Sequence, residues 1–249
     1  MDEKLLNYRI FGNGSPVVFL HGFMEDYSMW DELIPHLPVQ AICIDLPGHG
    51  KSPVNSDAVP SILSMAKEVE KIIRHEKLKH PIIVGHSMGG YVGLELLKLY
   101  PGSEHLVLFH SHPWSDSEEK KRDRERVAHL VLTKAPVFIR EAIPNLFYDP
   151  SKMKPAIEHY IRIAEQMDPK AIAWASLAMK NRFDLAYLME KNPEKFTVIS
   201  GQNDQLIQVA QLDAFCKQNK ISSITLPHVG HMAHEENREE VIQLLNTIF

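Results

Sequence analysis

The chain has 249 residues, 44% of them hydrophobic, which is enough for one large core. Charged residues make up 24% and the formal net charge is −5. With no basic surplus to neutralise phosphates or an anionic lipid face, composition argues against a nucleic-acid or membrane partner.

The opening stretch MDEKLLNYRI carries acidic residues early and no apolar run long enough for a signal peptide or a membrane span. Cys43 and Cys216 lie far apart without metal-ligand spacing. A long chain with two lone cysteines reads as cytoplasmic, with both thiols buried as small hydrophobes. Asn13-Gly14-Ser15 has the form of a glycosylation acceptor but is read as a turn.

Short apolar runs at residues 5–11, 17–21, 40–45, 81–85, 104–110, 196–200 and 223–226 predict strands. Several are almost continuously apolar (PVVFLHG, QAICIDL, HPIIVGH), as expected when helices cover both faces of a sheet. Between them, residues 61–78 place Ile62, Met65, Val69, Ile72 and Ile73 on one helical stripe. Residues 208–217 repeat that pattern with Val209, Leu212 and Phe215. The last helix opens on Asn237 and Glu240 in capping-box spacing and buries Val241, Leu244, Leu245 and Ile248. Strand–helix alternation of this kind predicts an α/β fold with a mostly parallel central sheet flanked by helices.

Residues 113–182 break the alternation with helical patterns alone: 116–126, 127–139, 155–166 and a helix started by Asp168-Pro169. An all-helical insertion in an α/β chain predicts a cap, leaving 1–112 and 183–249 as the core domain. The charge run DSEEKKRDRER at its start reads as a solvated helix face.

Gly85-His86-Ser87-Met88-Gly89 follows a strand and precedes a helix, the context of a G-x-S-x-G nucleophile elbow. The sharp turn strains the serine backbone, and glycines two positions away relieve the crowding. The hydroxyl then sits at a helix N-terminus, where N–H groups point toward developing negative charge. Four further segments occur in order: His21-Gly22-Phe23 after a strand, Asp45-Leu46-Pro47-Gly48-His49-Gly50-Lys51-Ser52, Gly201-Gln202-Asn203-Asp204, and Gly230-His231 after the last strand. With the elbow, these segments resemble the α/β-hydrolase superfamily over nearly the whole chain outside the cap.

The resemblance implies Ser87 as nucleophile, His231 as base and Asp204 as the acid that orients it, in the chain order this fold uses. It also implies an oxyanion hole from the backbone N–H groups of Phe23 and Met88. The side chains of Phe23, Met88 and Trp114 are candidates to line an acyl pocket, with Trp114 balanced between pocket and core and Trp174 read more as core. A serine hydroxyl is a weak nucleophile until a base takes its proton, and an imidazole needs its other nitrogen held by a carboxylate.

Fourteen histidines compete for the base role. His228 and His234 flank His231, while His86 and His21 are read as braces for the elbow and the oxyanion loop. Asp45 precedes the nucleophile in the chain and suits turn capping better than catalysis. Gly48-His49-Gly50-Lys51-Ser52 ends like a phosphate-binding loop but lacks the required earlier glycine, since Asp45 stands there. His110-x-His112 places two rings on one face of a strand, yet no third ligand is evident, so no metal is expected.

The expected chemistry is two-step acyl transfer on a small carboxylic ester through an acyl-enzyme, without a cofactor. Carbon–carbon hydrolysis or lyase chemistry on the same triad stays open. It is weakened by His86 where such enzymes usually have asparagine, and by Tyr91 where a menaquinone-pathway lyase would have arginine. A non-enzymatic ligand receptor is the reading from a different class.

Overall fold

The computed structural model describes residues 5–54 and 57–249. The first four residues, on which the reading of an acidic start partly rests, lie outside them. The described strands are β1 (Tyr8–Phe11), β2 (Ser15–Leu20), β3 (Val39–Ile44), β4 (Ile82–His86), β5 (His105–Phe109), β6 (Phe196–Gly201) and β7 (Ser222–Leu226). They form one sheet in the order β1-β3-β2-β4-β5-β6-β7. β1 pairs antiparallel with β3, and every other pairing is parallel.

Helices α1 (Ile62–His75) and α2 (Met88–Leu99) precede β5. The insertion before β6 holds α3 (Glu118–Ala142), α4 (Lys154–Glu165), α5 (Pro169–Lys180) and α6 (Ala186–Lys191). After it come α7 (Val209–Asn219), α8 (Ala233–Glu236) and α9 (Arg238–Ile248). None of the described helices is long and apolar enough to cross a membrane.

Strand periodicity sorts the core into two layers. Val18 and Leu20 of β2, Ile42 of β3, Ile83 of β4 and Leu106 and Leu108 of β5 pack with α1 and α2. Their alternates Val17, Phe19, Cys43, Val84 and Val107 face the other way, onto Trp30 and onto Val241 and Leu245 of α9. Both cysteines are buried and free.

Register is what positions the site. Leu20 pairs with Gly85, Gly85 with Leu108, and Phe109 with both His86 and Ile199. The carboxyl ends of β2, β4, β5 and β6 therefore finish side by side, and the loops that leave them meet at one edge.

Three sequence expectations shift in detail. The predicted pair of helices at 116–139 is present as two segments of α3, but they part at a kink at Lys134 rather than at Arg126–Val127. Arg126 and Val127 offer no breaker, whereas Pro136 removes an N–H and disturbs the turn before it. The Asn237–Glu240 spacing does not cap α9: Asn237 Nδ2 donates to Glu240 Oε2 at 2.5 Å, and no side chain caps the helix backbone. The six-residue α6, which lies beyond the predicted insertion, is too short to show a period.

Asp45 is a structural hub at the end of β3. It is buried, and it accepts from Asn7 Nδ2 at 2.7 Å, Tyr27 N at 2.9 Å and Lys51 N at 2.8 Å. It thereby closes the Asp45–Ser52 turn and fixes the chain before β1. Asp45→Ala should lower stability by about 3 kcal/mol, because three donors lose a charged acceptor at once. Denaturant unfolding of the two proteins measures this, and a loss under half that size would contradict the hub role.

Candidate active site

β4 ends at His86 and α2 begins at Met88, so Ser87 alone makes the turn. Its backbone has φ 49° and ψ −112°, which is strained for a residue with a side chain. Ser87 N–H donates to Phe109 O at 2.9 Å, and Ser111 Oγ donates to Ser87 O at 2.8 Å, so neighbouring β5 holds the strain in place. A Cβ on Gly85 would lie 2.5 Å from Gly89 O, and one on Gly89 would lie 2.3 Å from Leu20 O. Neither position has room for a side chain.

Asp204 follows β6 in the Gly201–Asp204 turn, and His231 follows β7. His231 Nδ1 donates to Asp204 Oδ2 at 2.7 Å, and both residues are buried. The same oxygen accepts from His110 Nδ1 at 3.0 Å, while Oδ1 accepts from Leu206 N at 2.9 Å. Burial works to raise the carboxyl's pKa. The charge on His231 and the hydrogen bonds from both imidazoles overcome that and hold it far below the usual carboxylate range.

His110 is the residue that sequence reasoning misplaced. It stands one position past β5 with φ 49°, so it does not share a strand face with His112. His110, Asp204 and His231 bring three potential metal-ligating atoms within 4.8 Å of one another, a convergence invisible in the spacing. Both imidazoles turn an Nδ1–H to one carboxylate oxygen, which is a hydrogen-bonded relay. Burial keeps His110 neutral, with a pKa lowered to about 4 despite Asp204.

A second buried assembly supports the first. His86 Nδ1 lies 3.0 Å from Glu25 Oε2 and Nε2 lies 2.9 Å from His231 O. Both ring nitrogens face acceptors, so both carry protons. Burial disfavours that imidazolium, but the Glu25 charge outweighs it and raises the His86 pKa. Burial likewise works against the Glu25 carboxylate, and His86 brings its pKa down to about 2. Glu25 Oε2 also accepts from Gly22 N at 2.6 Å. One ion pair thus ties the His21–Glu25 loop to the backbone of His231, whose own N–H donates to Leu146 O at 2.7 Å. His21 braces the same loop, since its Nε2 accepts from Leu46 N at 2.9 Å.

A cavity of about 890 Å³ opens at this edge, and Phe23, Ser87, Trp114 and His231 all line it. Met88 is fully buried and packs in the core, so its side chain is not part of that wall. Trp174 is also core, with Nε1–H donating to Ala58 O at 2.9 Å. His234 is buried against the Tyr160 hydroxyl at 2.8 Å, and His228 is exposed. The charge run at the start of α3 is not wholly solvated: Glu119, Lys120, Asp123 and Arg124 line the cavity.

Residues 17–244 match the family model described as "Alpha/beta hydrolase family". The chain belongs to the Alpha/beta hydrolase family. Among family relatives, it is 27% identical over 193 residues to human "Serine hydrolase-like protein", covering 76% of this chain and 77% of that one. It is 24% identical over 257 residues to mouse "Monoacylglycerol lipase ABHD6", covering 94% and 75%. Among solved structures, a thermophilic esterase from Thermogutta terrifontis, with malate bound, superposes with TM-score 0.88 at 29% identity, covering 97% of this chain and 92% of that one. An esterase from Exiguobacterium antarcticum superposes with TM-score 0.85 at 19% identity, covering 98% and 94%; at that identity it speaks for the fold alone.

The buried histidines predict how the protein responds to acid. Burial lowers the pKa of His49 and His112 to about 3 and of His110 to about 4, from an ordinary 6.5. The unfolded chain therefore takes up more protons than the folded one between about pH 4 and 6.5, so stability rises with pH across that window. Denaturant midpoints measured from pH 4 to 6.5 should climb steadily. A flat series would contradict the neutral, buried state of these rings.

Proposed function

We propose that the protein is a serine hydrolase acting on carboxylic esters of small or medium acyl groups. The observation that carries this reading is the 2.7 Å contact between His231 Nδ1 and Asp204, with His231 and Ser87 on the wall of one cavity. Asp204 fixes the tautomer of His231, leaving Nε2 free of a proton and able to take one from the Ser87 hydroxyl. The alkoxide forms a bond to the ester carbonyl carbon, and the carbonyl π electrons move to oxygen.

In this reading the backbone N–H groups of Phe23 and Met88 receive that oxyanion. Met88 N heads α2, whose dipole favours negative charge there. Phe23 N belongs to the loop that Glu25 and His86 hold. Collapse of the tetrahedral centre expels the alcohol, which takes its proton from His231. Water, deprotonated by the same imidazole, then attacks the acyl-enzyme and releases the acid. Residues 113–182 act as a cap on the core of residues 1–112 and 183–249. Phe23 and Trp114 contact the acyl group, and no step needs a cofactor.

The test is stoichiometric labelling by a fluorophosphonate probe. Wild type should label, and Ser87→Ala should not. Labelling that persists in Ser87→Ala would overturn the assignment, and slow turnover on every ester tried would favour a ligand receptor instead. Asp204→Asn should lower kcat by about three to four powers of ten, since the asparagine amide turns the imidazole to the wrong tautomer. A loss below about tenfold would remove Asp204 from the role.

A further inference from the structure

The proposed function leaves one part of the cavity without a task. Of the α3 residues that line it, Lys120, Asp123, Arg124 and Val127 stand beside Glu119, Phe138 and Ala142. The spacing of the first four, i, i+3, i+4 and i+7, is a single helical stripe, so one face of the charge run is turned to the site. Lys120 and Arg124 are one turn apart on that stripe, and like charges in this relation repel.

The acids nearby offset these charges only in part. Asp116, buried in the cavity wall, lies 3.2 Å from Arg124 Nε and 2.8 Å from Arg182 Nη2. Arg182 is further held by the Trp114 and Met179 carbonyls and stacks on the Tyr91 ring at 4.0 Å. One carboxylate is therefore shared by two guanidinium groups. Asp123 is paired with Arg126 at 2.8 Å, Glu25 with His86, and Glu119 is exposed at the rim. Lys120, partly buried, has no ion-pair partner among the described residues; burial followed by the Arg124 charge lowers its pKa, outweighing the opposite pull of Asp116 and Asp123. Arg124 uses only Nε on Asp116, which leaves its terminal amino groups for a ligand.

We infer that Lys120 and Arg124 bind an anionic group on the substrate, so that the preferred ester carries a second, free carboxylate on its acyl part. A guanidinium edge and an ammonium group one helical turn apart supply charge-assisted hydrogen bonds to such a group. This rests on Ser87 as nucleophile, because the anion is placed in the same cavity as the reacting carbonyl.

The experiment compares monomethyl adipate with methyl hexanoate, which differ only in a carboxylate in place of a terminal methyl. In wild type the ratio of kcat/KM should favour the anionic ester by about tenfold or more, the size expected of one charge-assisted contact. In Lys120→Gln and in Arg124→Gln that ratio should fall toward one. Lys120→Gln removes no ion pair, so it keeps the test valid if loss of Arg124 loosens the cap.

A wild-type ratio at or below one overturns the inference, and so does a ratio retained in both variants. Calorimetric binding of the adipate dianion separates this inference from the hydrolase reading. If neither ester is cleaved but adipate binds wild type and binds both variants at least about tenfold more weakly, the anion site stands and the hydrolase reading falls. No detectable adipate binding to wild type overturns the site whatever the esters show.

Discussion

Parallel pairing in fixed register is the constraint on which the site depends. Leu20, Gly85 and Leu108 lie side by side on β2, β4 and β5, and Phe109 pairs on to Ile199 of β6. Each strand is buried on both faces, so a slip of one residue would exchange Val17 and Phe19 with Val18 and Leu20 between two differently shaped layers. That penalty holds the strand ends level. The level ends in turn set the His21–Glu25 loop, the Ser87 turn, His110 and the Asp204 turn beside one another, although Gly22 and Asp204 are far apart in the chain.

Local strain is present on this edge. Met24, Ser87 and His110 all adopt positive φ without being glycine. Such conformations persist only where the surroundings over-determine them. For Ser87 those surroundings are the Phe109 carbonyl and the Ser111 hydroxyl; for His110, the Ile199 carbonyl at 2.8 Å and the Asp204 carboxylate. Ser87 and His110 each donate a backbone N–H to a neighbouring strand, so sheet stability and site geometry share these contacts.

Much of this was legible in the amino-acid order because the signals were local. The strand runs, the elbow glycines, the Asp168-Pro169 helix start and the Gly201–Asp204 and Gly230-His231 turns each carry their meaning within a few residues. What stayed hidden is non-local. His110 joins Asp204 across 94 positions and His86 reaches the His231 carbonyl across 145, and no spacing rule connects them. The α3 charge run looked solvated because a 25-residue helix has several polar faces, and only the packing of α3 over the sheet decides which one meets the cavity. Trp174 is core, as its sequence context favours, but its Ala58 partner lies in a distant loop that the sequence does not reveal.

The His86 imidazolium makes two loops into one mechanical part. Its ring clamps Glu25 on one side and the His231 carbonyl on the other, so neither segment can be exchanged for a relative's without its counterpart. Grafting a different residue into the position before Ser87 would release both loops together, and swaps made singly would look far worse than the same swaps made jointly. Anyone recombining this scaffold with another should therefore move Gly22–Glu25, His86 and the His231 turn as a single cassette.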